Sequence, residues 1–73
     1  MAKNEQKEGR LFLNENGRLA LDADTEFHCG DVVEVAIGMV YITTRIEMNE
    51  RNEWYFVDLR CSPIGQVVRY GAA

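Results

Sequence analysis

Aromatic rings and a guanidinium gather in one stretch of this chain, "YITTRIEMNERNEWYFVD" from 41 to 58. An arginine set among Tyr, Trp and Phe can lay its planar cation over a ring face, a contact worth about 0.5–2 kcal/mol. Two other stretches hold residues of chemical interest. "FHCGD" at 27–31 sets His28 beside Cys29, and a second thiol stands at Cys61. "DADTE" at 22–26 places acids at alternate positions.

Neither of these two supports a metal site. Structural zinc takes four ligands, usually in paired spacings, whereas His28, Cys29 and Cys61 are the only soft ligands in the chain. In an extended strand the neighbouring side chains of His28 and Cys29 also point apart. "FHCGD" reads instead as a β-turn: Gly30 supplies the conformation, Asp31 caps it, and Cys29 is a small apolar filler. A calcium loop that started at Asp22 would need Gly at its sixth position and Glu at its twelfth. The chain has Phe27 and Val33 there. No metal and no cofactor is expected, and the two thiols are expected to be reduced.

Catalysis has equally little to build on. A nucleophile needs a base beside it and a third group to orient that base, and the only histidine is His28. Nothing singles out one pair among the twelve carboxylates. Phosphate-loop and dinucleotide fingerprints are absent. A chain of 73 residues is also expected to be too small to enclose a cavity of several hundred cubic ångströms. The expectation is a protein that is not an enzyme.

The elements that position these residues are short strands. Apolar residues alternate with polar ones in brief runs broken by Gly, Asn and Asp, and no run keeps helical spacing over three turns. Strands are predicted at 10–13, 18–21, 32–37, 39–48, 53–58 and 66–70. "NENG" forms the turn after the first strand, and Gly17 takes positive φ in it. Connections this short favour an antiparallel meander. An open sheet of six strands would leave a face and two edges bare, and closure removes both problems. The predicted fold is therefore all-β, a small antiparallel meander closing into an SH3-like barrel of five to six strands. The alternatives are an open twisted sheet that dimerises and a five-stranded barrel of the oligonucleotide-binding type. Residues 1–9 read as a disordered N-terminal tail, and 10–71 as a single small β-barrel domain.

Within this frame the stretch 41–58 is a hairpin. A four-residue loop at 49–52 pairs Met48 with Glu53, Glu47 with Trp54, Ile46 with Tyr55, Arg45 with Phe56 and Thr44 with Val57. One face then carries Val40, Ile42, Thr44, Ile46, Tyr55 and Val57, which is a core. The other carries Tyr41, Thr43, Arg45, Glu47, Trp54, Phe56 and Asp58. On it Arg45 lies opposite Phe56 and diagonal to Trp54, within reach of both rings. Tyr41, Thr43, Arg45, Glu47, Trp54 and Phe56 form the candidate binding surface, since Trp, Tyr and Arg dominate interface hot spots. The competing reading is a cluster that seals the outer face of the hairpin. It is favoured here because Glu47 can neutralise the guanidinium.

Charge narrows the choice of partner. The net charge of −4 disfavours nucleic acid, whose binding rests on Lys and Arg neutralising phosphates. A protein partner or a homodimer is expected, with a nucleic-acid-binding Arg and aromatic face as the alternative. A small-molecule substrate is not evident. No apolar run spans a bilayer, and "MAKNEQKEG" lacks the apolar region of a signal peptide. The chain reads as a complete cytoplasmic protein.

"GRLFLNENGRLAL", "CGDVVEV", "YITTRIEMNERNEWYFVD" and "IGQVVRYG" together resemble a family of short uncharacterised bacterial proteins. That family is known mainly from Gram-positive bacteria and their mobile elements, and is classed as a domain of unknown function. The resemblance covers nearly the whole chain beyond the tail. Gly30-Asp31, Thr44 to Glu47, Trp54-Tyr55 and Gly65 carry it. It implies no activity, but it does imply a stand-alone accessory protein of the kind mobile elements carry.

Overall fold

The computed structural model describes residues 6–71. Their regular elements are eight strands: β1 (Lys7–Arg10), β2 (Phe12–Leu13), β3 (Leu19–Asp22), β4 (Thr25–Glu26), β5 (Val32–Ile37), β6 (Val40–Met48), β7 (Trp54–Phe56) and β8 (Val67–Tyr70). Every pairing is antiparallel. β1, β8, β5, β6 and β7 form one sheet in that order, and β2, β3 and β4 form another. The all-β expectation holds. A simple meander does not, because the last strand inserts between β1 and β5. Among the described residues β1 and β7 end the five-stranded order, and no ladder joins them.

Three boundaries differ from the sequence reading. Residues 1–5 of the expected tail lie outside the described residues, and Lys7–Gly9 are not tail but strand, paired with Val68–Tyr70. The predicted strand at 10–13 divides at Leu11, which is buried in the core. Leu11 donates its N–H to Gln66 O at 2.9 Å and accepts from Gly65 N at 2.8 Å. The chain thus passes from one sheet to the other without a loop. The connection at 22–31, which reads in the sequence as a polar link ending in a Gly-Asp turn, contains β4 and delivers Phe27 to the centre of the protein.

One core lies between the two sheets. Leu19 and Phe27 come from the side of the three-stranded sheet, and Val33, Val35, Ile46, Phe56 and Val68 from the five-stranded one. Phe27 meets Tyr70 edge to face at 4.8 Å, a geometry that suits the ring quadrupoles. The "FHCGD" segment is the expected turn. Asp31 N donates to His28 O at 3.1 Å, and the Asp31 carboxylate accepts from His28 N at 2.8 Å. Cys29 is no filler, however; it is exposed on this turn, while Cys61 packs against the core, and both are free thiols.

Candidate functional site

The hairpin of β6 and β7 decides which side chains share a face. Five residues, 49–53, lie between its paired ends Met48 and Trp54, one more than the sequence reading allowed, and Asn49 and Glu53 pair in turn to leave 50–52 as the loop itself. Asn49 N donates to Glu53 O at 3.0 Å, Asn52 N donates to Asn49 O at 3.0 Å, and Asn52 takes φ 64. This is the three-residue hairpin loop in which a type I turn is followed by a left-handed residue. The Asn49 side chain holds it, accepting from Arg51 N at 2.8 Å and Glu53 N at 3.0 Å.

The register that results is Met48↔Trp54, Glu47↔Tyr55 and Ile46↔Phe56. A shift of one residue moves a whole strand to the opposite face. Phe56 therefore joins Ile46 in the core, 1% exposed, and Tyr55 turns outward, 40% exposed. Of the six predicted site residues, Trp54 and Phe56 leave the Arg45 face. Tyr41, Thr43, Arg45 and Glu47 stay on it.

That outer face carries two charge clusters. Arg45 Nε donates to Glu47 Oε2 at 2.8 Å. Across the sheet the register aligns Glu8, Arg69, Glu34 and Thr43 in one row over β1, β8, β5 and β6. Opposite charges in neighbouring strands stabilise such a row. Arg69 Nε lies 3.2 Å from Glu34 Oε1. The contact is ionic without hydrogen-bond geometry, so this buried N–H has no acceptor among the described residues. The arginine–aromatic stack foreseen in the sequence exists between other partners: the Arg69 guanidinium sits 3.5 Å above the Tyr41 ring. Tyr41 OH donates to Glu8 Oε2 at 2.7 Å, and this hydrogen bond is the main cause that raises the Tyr41 pKa. Thr43 is exposed and completes the face.

A concave surface lies away from these clusters. A groove of about 730 Å³ runs beside Leu13, Trp54, Tyr55, Leu59, Pro63 and Ile64, with Arg60 and Cys61 in its wall. It is open to solvent and not an enclosed cavity. The groove owes its size to turns rather than to enclosure by many strands. One wall is the β2–β3 turn, where Asn14 N donates to Arg18 O at 2.9 Å and the Asn14 side chain accepts from Asn16 N and Arg18 N. The β6–β7 turn stands beside it. Trp54 Nε1 donates to Gly17 O at 2.8 Å and pins the two turns together. The loop 59–65 forms the third side. It is anchored where Arg10 Nη1 donates to Gly65 O at 2.9 Å and Gln66 N donates to Pro63 O at 3.1 Å.

Leu13, Tyr55 and Ile64 are 48%, 40% and 53% exposed here. Clustered apolar exposure is more informative than the same residues scattered singly. Arg60 makes no ion pair among the described residues. Sequence reasoning missed this site because Leu59 and Ile64 sit in a stretch that reads only as a loop, and because the assumed register buried Tyr55.

The acidic loop after β3 serves the fold. Asp22 Oδ1 accepts from Asp24 N at 2.9 Å, the first cause that lowers the Asp22 pKa. Lys7 Nζ reaches Thr25 Oγ1 at 2.7 Å and Asp22 Oδ2 at 3.4 Å, which ties β1 to this loop.

Two antiparallel sheets around one core, with turns gathered at one end, define a small all-β domain. Residues 9–69 match a family described as a domain of unknown function, DUF5348, and the chain belongs to that family. It is similar to a protein from Ruminococcus gnavus, a structural-genomics target whose crystal structure is known. The two are 34% identical, the match covers 86% of this chain and 99% of that one, and the TM-score is 0.69. A search of functionally curated proteins returned no match.

Proposed function

We propose that this domain is a non-catalytic binding module whose groove takes apolar side chains of a protein partner. The observation that carries the proposal is the clustering of Leu13, Tyr55 and Ile64, all exposed, around one concavity. A few anchors buried in pockets, aromatic ones above all, supply most of the energy of protein interfaces. Nucleic acid is disfavoured because Arg45 and Arg69 are each set against a carboxylate. In this reading the two sheets are a partly open SH3-like barrel, since both feed one core and the chain crosses between them at Leu11. The module acts in the cytoplasm, a setting with which two free thiols accord. There it serves as an accessory protein of a Gram-positive bacterium or its mobile elements.

The test is capture from nuclease-treated native lysate with the wild-type chain, Tyr55→Ala and Ile64→Ala. Both substitutions remove partly exposed side chains, so the fold is retained. A protein that survives nuclease and is lost with both variants supports the groove. Capture that disappears on nuclease treatment, or that both variants retain, overturns it.

A further inference from the structure

Strand β6 uses only part of one edge. Ile46 N donates to Asp31 O at 2.8 Å, so the backbone groups of even-numbered β6 residues point toward β5 and those of odd-numbered ones point away. On the far side β7 pairs only with Ile46–Met48, and Val57 N adds one bond to Arg45 O at 3.0 Å. The chain then turns off, with Asp58 at φ 66. The N–H and C=O groups of Tyr41 and Thr43 consequently face outward with no strand beside them among the described residues. A depression of about 350 Å³, lined by Ile42, Thr43, Thr44, Arg45, Val57 and Leu59, occupies the place where β7 would have continued.

An open edge is a template for another strand, and proteins blunt edges with charge, proline or bulges. The β1 edge is blunted: its sequence is "KEGR", and Lys7 is tied to Thr25 and Asp22. The open stretch of β6 is "VYITT", which carries no charge and is rich in β-branched residues. Val40, 57% exposed, lies at its end.

We infer that this edge pairs with the same edge of a second copy, antiparallel about a two-fold axis at Ile42. The inference concerns a surface separate from the groove and does not rest on the groove's partner. Hydrogen-bond parity selects the register. Tyr41 opposite Thr43 of the second copy occurs twice about the axis and satisfies all the outward N–H and C=O groups of both residues. Ile42 then meets its own counterpart and Val40 meets Thr44, so no row opposes like charges, and the pairing stops short of Arg45, whose edge position Val57 already occupies. Sliding the pair toward Arg45 brings the two guanidiniums together and competes with the bond from Val57. Five residues a side is well below the roughly 20–30 of a standard interface, so the dimer is weak and concentration-dependent.

Sedimentation equilibrium of the full chain from about 10 μM to about 1 mM covers the range in which weak interfaces dissociate. Amide exchange read by NMR at both ends of that range identifies the surface. A monomer–dimer equilibrium is expected, with the Tyr41 and Thr43 amides slowing on dimerisation and the Ile42 and Thr44 amides slow at both ends. Thr43→Lys, a charge on the exposed edge, is expected to weaken dimerisation about tenfold or more, which is about 1.4 kcal/mol. A chain that stays monomeric throughout overturns the inference. So does a dimer whose Tyr41 and Thr43 amides remain fast. Should the lysine variant fail to fold, the wild-type exchange comparison decides alone.

Discussion

Two turns in this protein have the same construction and different sequences. At 14–18 the residues are "NENGR", and at 49–53 they are "NERNE". In each, the first Asn closes the loop with its backbone and caps two further N–H groups with its side chain. In each, the fourth residue is left-handed: Gly17 at φ 78 and Asn52 at φ 64. A glycine there announces itself, and an asparagine does not. Asn is the side chain that visits this region most readily after glycine, yet it also reads as an ordinary loop residue. The sequence reading gives both turns four residues, 14–17 and 49–52, whereas the pairs Leu13↔Leu19 and Met48↔Trp54 leave five in each; at the second turn that difference inverts the face of β7.

The largest effect that could break this comparison is at Phe56. Phe56→Ala is expected to cost about 3–5 kcal/mol, the range for deleting a buried ring. A domain of this size has a total stability of about 3–5 kcal/mol, so the variant should be largely unfolded in a urea titration. Tyr55→Ala, by contrast, should shift the midpoint little. Equal effects at the two positions, or the reverse order, would return β7 to the other register.

Next come the turns themselves. Gly17→Ala and Asn52→Ala should each cost about 1–2 kcal/mol, because both place a Cβ in left-handed backbone. The exchanges Gly17→Asn and Asn52→Gly should each stay within about 1 kcal/mol. Thermal melts of the four variants show whether the two sites are equivalent. A tolerated Asn52→Ala alongside a damaging Gly17→Ala would mean that they are not.

A smaller effect is expected at Arg45. Its guanidinium contacts Glu47 on a side chain that is 54% exposed, and exposed pairs of this kind contribute about 0–1 kcal/mol. Arg45→Ala should therefore melt close to wild type. A loss of 2 kcal/mol or more, well above the range for exposed pairs, would show that Arg45 stacks on a ring after all.

The smallest effect concerns pH. The hydrogen bond to Glu8 raises the Tyr41 pKa above its unfolded value of about 10. The folded state therefore holds this proton more tightly. Its contribution is complete below pH 10 and is lost as pH rises through the raised value. Alkaline melts should show a slight extra loss of stability above about pH 10 in the wild type that Tyr41→Phe lacks. Identical curves would remove Tyr41 from its cluster.

How much of this was legible in the sequence follows from the same chemistry. The strands at 32–37 and 39–48 were, because period two and β-branched residues mark them plainly. On β6 the buried parity of Thr44 and Ile46 was legible as well. The sheet order was not, since strand spacing says nothing about β8 returning to lie between β1 and β5. Phe27 was hidden in a polar segment, its role fixed only when β4 pairs with β3 and Phe27 N donates to Leu19 O at 2.8 Å. The pairing of Arg69 with Tyr41 depends on that unforeseen strand order. The groove depends on the five-residue span of the β6–β7 turn, which sets which way Trp54 and Tyr55 face.

The β6–β7 register is the claim on which the core, the outer face and the groove all depend, and cross-strand Hα–Hα NOEs measure it directly. Ile46 and Phe56 form a non-hydrogen-bonded pair, whose Cα atoms approach to about 4.5 Å. The account predicts strong Hα–Hα NOEs for Ile46–Phe56 and Met48–Trp54. NOEs for Ile46–Tyr55 and Met48–Glu53 in their place would contradict it.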